Sequence, residues 1–340
     1  MQEIILKKKR NLEQEYTIHL FEWCNLSCAF CWQDHNAPDG LTDIMSKLGP
    51  IGEYFREEAA EYIVLNIMGG EIFADEIFDA DMLETYKAFV NGIKAVGDKY
   101  DKKVSISWVT NLVTDKLEEI DALMEHTDNV GVPNRLSTSY DRKARFNILN
   151  LEKFKRNMTY FGSKVDSVNM LFSKKAIKEL ITENDPYFEE IYKTDTKIYI
   201  DYMMPDSTKA DVPSDQDLYD AFTYLIDNYP KVEPIASWMT KRSQPLSCRT
   251  SKLVLPDGTS CQCGNLIEDD VNEEVYGGLV EADSNHSIEN LFIEKYGCAS
   301  CEYLDRCQLS CFMQHAAINR VEFDECVYKK THRYIDAVEI

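Results

Sequence analysis

The chain is 340 residues long and 44% hydrophobic, enough to bury a large core in one large and one smaller domain or in two of similar size. Its 37 Lys and Arg stand against 59 Asp and Glu, a formal charge of -22 whose field repels phosphate backbones and leaves no footprint for a nucleic acid. No run reaches the ~18 apolar residues of a membrane span, and the KKKR at 7 to 10 is followed by no apolar stretch of signal-peptide length, so a cytoplasmic, soluble protein with no membrane partner is expected.

Strand-like and helical runs alternate from the start. Strands are predicted at 16–23 (YTIHLFEW), 62–68 (YIVLNIM), 104–111 (VSISWVTN), 135–141 (RLSTSYD), 166–172 (DSVNMLF) and 197–203 (KIYIDYM). Between and after them helices are predicted near 41–60, 76–97, 114–126, 150–162, 174–182 and 214–228; in the second, Ile77, Met82, Tyr86, Phe89, Val90 and Ile93 recur at helical spacing. Six such units in series predict an α/β fold, a parallel sheet with right-handed crossovers that is open or curled into a partial barrel. Sites in such folds gather at the carboxyl ends of the strands.

From about residue 235 helical periodicity weakens and turn-forming glycines and aspartates appear (PDG at 256–258, YGG at 276–278). The expected organisation is therefore a core domain over 1–234 and a small Cys-rich domain over 235–340. The eleven cysteines fall at the two ends of the chain, with none between Cys31 and Cys248. Clustered thiols in a reducing compartment point to metal more than to disulfides, because soft thiolates select iron–sulfur clusters or zinc. In EWCNLSCAFCWQ, Cys24, Cys28 and Cys31 are spaced C-x3-C-x2-C directly after the first strand. Three thiolates hold three irons of a [4Fe–4S] cube and leave the fourth open, whereas four close the site; a zinc ion completed by a distant ligand such as His35 is the competing reading.

This loop, with the aromatic Trp32 after its third cysteine, resembles the radical S-adenosylmethionine (SAM) enzymes. The resemblance implies that Cys24, Cys28 and Cys31 bind a [4Fe–4S] cluster whose open iron chelates the amino and carboxylate groups of SAM. Reductive cleavage of SAM then gives methionine and a 5'-deoxyadenosyl radical that abstracts a hydrogen atom from substrate, with the protein supplying orientation and shelter. MGGEIF puts Gly69, Gly70 and Glu71 after the second strand, like the family motif that contacts the SAM amino group. Two glycines let a ligand approach the backbone, and a carboxylate suits an ammonium. Thr110 and Asn111 end the third strand, Ser137, Ser139 and Asp141 the fourth, and Arg145 follows; they resemble the family's polar contacts to SAM, although Ser, Thr, Asn and Asp favour turns and caps in any fold.

Cys248, Gly258, Cys263, then Cys298, Cys301, Cys307, Cys311 and Cys326 follow the order and spacing of the SPASM extension of these enzymes. That resemblance implies two auxiliary [4Fe–4S] clusters, three in all. Cys298, Cys301, Cys307 and Cys326 would close the second; Cys248, Cys263 and Cys311 would hold the first, with Cys261 as a fourth ligand or with an iron left open. Two structural zinc sites are the alternative that spacing permits.

The activity implied is an oxidoreductase acting on a peptide or protein side chain, as in ribosomal-peptide crosslinking or oxidation, fed by an electron donor such as flavodoxin or ferredoxin. A small-molecule dehydrogenase or rearranging enzyme is the alternative, and a non-catalytic iron–sulfur or zinc scaffold a more distant one. Sulfatase-maturating relatives carry Asp after the cysteine matching Cys263; here Gly264 and Asn265 follow it. About 15 residues precede the first strand, so a leader peptide is expected to bind elsewhere or on a separate protein, and the acidic surface favours a basic partner. Asp201 and Tyr202, at the end of the sixth strand, are cavity-lining candidates without an assigned role, and no catalytic base is identified.

Overall fold

The computed structural model describes residues 13–28, 31, 43–141, 145–183, 185–202, 212–240, 251–261, 297–304, 306–307 and 326–338. Its strands are β1 (Glu13–His19), β2 (Tyr62–Met68), β3 (Lys103–Val109), β4 (Asn134–Ser139), β5 (Val165–Phe172), β6 (Lys197–Tyr202), β7 (Ser251–Val254) and β8 (Ser260–Cys261). They form one sheet in the order β6-β5-β4-β3-β2-β1-β7-β8, in which every neighbouring pair is parallel except β7 with the antiparallel β8. The six expected strands are all present. The sheet also continues past residue 235, because β7 pairs with β1.

The helices are α1 (Leu48–Glu57), α2 (Ala80–Lys99), α3 (Leu117–Asn129), α4 (Ile148–Phe161), α5 (Lys174–Thr182), α6 (Pro186–Tyr192), α7 (Asp215–Asn228), α8 (Ile235–Met239) and α9 (Val327–Val338). Caps set their starts. The side chains of Asp79, Asn147 and Ser173 accept from Met82 N, Asn150 N and Ala176 N, and Ser214 with Asp217 forms a reciprocal capping box before α7. The Asp79 cap explains why α2 begins at Ala80 and leaves Ile77 in the preceding turn. Helix α6 was not foreseen: seven residues make only about two turns, too short for a recurring apolar stripe to stand out, although Asp185 capping Pro186 is a start signal. Helix α9 packs on α7 and α8, so the C-terminal segment is joined to the core on its helical side.

Alternation along the strands separates two faces. Tyr16, Ile18, Ile63, Leu65, Ile67, Ile106, Trp108, Leu136, Val168, Ile198 and Ile200 are buried in the core. Trp108 is fully buried, packs against Phe73 and Tyr86, and donates through Nε1 to Asn134 Oδ1 at 3.2 Å. The alternate positions are mostly polar: Glu15 and Thr17 on β1, Asn66 on β2, Ser105 and Ser107 on β3, Arg135, Ser137 and Ser139 on β4, Ser167 and Asn169 on β5, Tyr199 and Asp201 on β6, with Val64, Val109 and Leu171 among the apolar exceptions. Register places Thr17, Asn66, Ser107 and Arg135 in one row, and Ser139, Asn169 and Tyr199 in another. A parallel sheet is ordinarily apolar on both faces because helices cover both. Here the second face carries mostly polar side chains instead.

Trp108→Ala is expected to cost about 3–5 kcal/mol of unfolding free energy, the scale of an emptied aromatic core position; urea unfolding followed by far-UV circular dichroism checks it, and an unchanged midpoint contradicts this packing.

Candidate active site at the carboxyl ends of the strands

The first cysteine loop leaves the sheet at the carboxyl end of β1. Pairing with β2 continues beyond the strands: Leu20 N donates to Met68 O at 2.8 Å, Gly70 N to Phe21 O at 2.8 Å and Glu71 N to Trp23 O at 2.9 Å. This is what the two glycines permit. A Cβ on Gly70 would lie 1.9 Å from Trp23 O and 2.2 Å from Glu22 O, and one on Gly69 2.8 Å from Phe21 O. The sequence reading gave the glycines a ligand to admit; in the structure the backbone they admit is that of the cysteine loop itself.

Glu71 is 1% exposed. Its carboxylate accepts from Phe73 N at 2.9 Å, from Thr110 Oγ1 at 2.7 Å and from Asn111 N. Burial raises its pKa, while these donors and the Arg145 charge pull it down. The carboxylate therefore clasps the loop after β3. In turn Asn111 Nδ2 donates to Asn25 Oδ1 at 2.8 Å, and Asn25 Nδ2 to Val113 O at 2.8 Å. Leu112, between these contacts, holds a left-handed φ of 56°, which costs a non-glycine residue energy and needs such a network to hold it. Thr110, Asn111 and Glu71 thus build the wall behind Cys24. Asn25 was missed in the sequence; its only signal is its place beside Cys24.

Cys24, Cys28 and Cys31 are half-buried and close enough to influence one another's charge, with Cys31 N donating to Cys28 O at 3.0 Å. Desolvation raises both resolved thiols, Cys24 to about 12, and Arg145 pulls Cys28 back down. Thiols this hard to ionise become thiolates when a metal takes the proton's place. The thiol loop lies beside Arg145, and three thiolates would suit three irons of a cube. Trp32 and His35 lie outside the described residues.

Beyond the thiols, Asp141 follows β4. Its carboxylate accepts from Arg145 Nε at 3.3 Å and Nη2 at 3.2 Å, and from Leu171 N at 2.7 Å. Ser137 shares a hydrogen bond with Ser167 at 2.8 Å. Ser139 is half-buried and has no side-chain hydrogen bond among the described residues, which leaves its hydroxyl available to a ligand. Asp201 stands near the end of β6. Its carboxylate is pushed up to about 6, first by the surrounding protein and then by the Asp141 charge, against the pull of Arg145 and a hydrogen bond from Asn169. The pairing of Asn169 with Tyr199, and of Leu171 with Asp201, sets Asn169 diagonally beside Asp201.

In the C-terminal segment Cys298, Cys301 and Cys326 are half-buried and Cys307 is buried; burial, then the charges of Cys326, Cys298 and Cys301, raises Cys307 far above an ordinary thiol. The four expected second-cluster cysteines are therefore neighbours. Cys261 lies in β8, opposite Leu253. Cys248, Cys263 and Cys311 lie outside the described residues.

Two outcomes follow. Gly70→Ala is expected to destabilise the protein by about 3 kcal/mol, at the top of the overpacking range, read by urea unfolding; a shift within error would show that the β1 and β2 tails do not meet as described. Asp201→Asn is expected to stabilise the cluster-free protein at pH 7. The folded-state pKa of Asp201 lies above the ~3.9 of an unfolded Asp, so ionisation costs stability as pH rises through about 6. The advantage of the variant should be complete above pH 7 and vanish below about pH 4, measured as unfolding midpoints across that range.

No protein-family model matches this sequence, and no curated protein matches it. Among solved structures, hexahistidine-tagged anSMEcpe with bound AdoMet superposes with a TM-score of 0.62 over 96% of this chain and 96% of that one, at 15% identity. Streptococcus suis SuiB aligns over 93% of this chain and 77% of its own at a TM-score of 0.37 and 13% identity. PhdJ bound to a substrate intermediate aligns over 64% and 63% at 0.30 and 12%. The last two superpositions are too loose to carry an argument. The chain shares with anSMEcpe, along nearly the full length of both, the fold of an open parallel α/β sheet.

Proposed function

We propose that the chain is a radical SAM enzyme that removes a hydrogen atom from a peptide or protein side chain in the course of an oxidative modification. The observation that carries this reading is the set of three thiols, Cys24, Cys28 and Cys31, half-buried in the loop that follows the carboxyl end of β1 and beside Arg145. A [4Fe–4S] cluster with SAM on its open iron supplies reductive cleavage of SAM and a 5'-deoxyadenosyl radical. The residues around it have separable tasks. Cys24, Cys28 and Cys31 hold the irons. Glu71, Asn111 and Asn25 fix the wall behind Cys24, whose sulfur also receives Leu26 N at 3.4 Å. Arg145, aligned by Asp141, is a cation at the loop for a carboxylate, and Ser139 offers a free hydroxyl at the strand end.

Cys298, Cys301, Cys307 and Cys326 would hold one auxiliary cluster; Cys248, Cys263 and Cys311, with Cys261, would hold another. The polar side chains on the second face of the sheet favour a polar target. An external reductant such as flavodoxin or ferredoxin and a peptide partner belong to this reading.

Anaerobic reconstitution with iron and sulfide, iron analysis and an assay of 5'-deoxyadenosine with SAM and dithionite test it. About twelve irons per chain and SAM cleavage are expected for three cubes. Replacing Cys24, Cys28 and Cys31 together by Ala should remove about four irons and abolish 5'-deoxyadenosine formation, with the remaining iron kept. Persistent cleavage in that variant, or zinc in place of iron, defeats the proposal.

A further inference from the structure

Helix α9 carries a histidine for which the site described above has no use. His332 is fully buried, and neither ring nitrogen has a hydrogen-bond partner among the described residues. A buried imidazole with both nitrogens unbonded contributes through the faces and edges of its ring. Two aromatic neighbours meet it. Its centroid lies 5.3 Å from that of Trp238 on α8, with the rings inclined at 60°, and Trp238 packs in turn on Phe222 of α7 at 5.1 Å. The Tyr303 ring stacks on it at 5.3 Å, only 15° from parallel. His332 therefore joins the aromatic packing of α7 and α8 to the segment 297–307, which carries Cys298, Cys301 and Cys307.

Further contacts fix that segment along the helix. Tyr303 Oη and Arg306 Nη2 both donate to Asp336 Oδ2, at 3.2 and 2.7 Å, and the Arg306 guanidinium lies 4.7 Å from the centroid of the Tyr303 ring. Lys329 Nζ stands 4.0 Å from Glu302 Oε1. The anchoring positions 329, 332 and 336 are three and four residues apart and so share one face of α9. One turn before Lys329 on the same helix is Cys326, whose carbonyl accepts from Lys330 N at 3.1 Å, and one residue before Glu302 is Cys301. The pairing of Glu302 with Lys329 thus sets Cys301 and Cys326 at the same end of the contact. Cys307 is tied to the same point, since its N donates to Tyr303 O at 2.7 Å, and Cys301 N donates to Cys298 O at 2.9 Å. Four thiolates on one cube must keep fixed mutual positions, and here they come from two segments that need a device to hold them together.

Resting on the auxiliary cluster proposed above, we propose that His332 and Tyr303 are positioning residues for it: their stack, with the Arg306–Asp336 pair, docks the three-cysteine segment on α9 in one register and so fixes Cys298, Cys301 and Cys307 against Cys326.

The test counts iron in the anaerobically reconstituted chain and follows its release to a ferrous chelator, with 5'-deoxyadenosine formation reporting on the first cysteine loop. Replacing Cys298, Cys301, Cys307 and Cys326 together by Ala sets the reference, a loss of about four irons per chain. If that variant loses none, the proposed auxiliary cluster itself falls, before any contact with α9 is altered. His332→Ala should lose the same irons and keep 5'-deoxyadenosine formation, whereas His332→Phe, which restores a flat ring without nitrogens, should retain them. Asp336→Ala, at a partly exposed position, should release those irons roughly tenfold faster, the scale of one charge-assisted hydrogen bond, and it decides the matter if His332→Ala does not fold. Wild-type iron content and release in these alanine variants overturn the proposal. Equal loss in His332→Phe and His332→Ala would assign the role to a ring nitrogen instead of the stack, and overturn it. Loss of 5'-deoxyadenosine formation in step with iron in every variant would make the contacts part of general stability, and overturn it as well.

Discussion

Much of the upper rim of this molecule depends on one buried carboxylate. Glu71 leaves the end of β2, and its oxygens gather the backbone of Phe73 in its own turn and Thr110 and Asn111 in the loop after β3. Taking a carboxylate out of water is expensive, and only several well-placed donors offset that cost. The return is geometric. With Asn111 fixed, its amide reaches Asn25, Asn25 reaches Val113, and the residue between, Leu112, stays in a conformation that a free chain avoids. Cys24 sits against that assembly. A short-range electrostatic clasp thus transmits the positions of two strands to one sulfur.

The same junction explains why the motif contains two glycines. Strands β1 and β2 keep exchanging backbone hydrogen bonds after their side-chain pattern has ended, and this brings the tails too close for any Cβ at residue 70. A cluster-binding loop on a flexible tether would let its thiols drift; here the tether is stitched to the next strand before the first cysteine is reached. Preorganisation of this kind places ligands without an ordering cost at the time of binding.

Most of the architecture was legible in the sequence, because alternating apolar residues in runs such as YIVLNIM, and helical spacing in α2, are strong signals over their length. Strand β7 was not: SKLV is four residues, and pairing with β1, more than two hundred positions away, is invisible to a local pattern. Helix α6, at about two turns, was too short for its apolar stripe to repeat clearly. At the site, the thiol loop was readable from spacing, and Asp141 and Arg145 were singled out from position. What Glu71 does within the fold was not readable, since which donors a carboxylate finds depends on the loop that packs against it. Asp201 was singled out by its place at the end of the sixth strand, but its partnership with Asn169 exists only through the register of β5 with β6.

The two-faced sheet has a consequence for how such a protein changes over time. On β6, Ile198 and Ile200 serve the core while Tyr199 and Asp201 occupy the alternate positions; on β4, Leu136 is buried in the core and Ser137 and Ser139 sit at the alternate positions. A substitution at an alternate position of these strands leaves the core side chains in place, so that face can change one position at a time while the scaffold that carries it stays as it is.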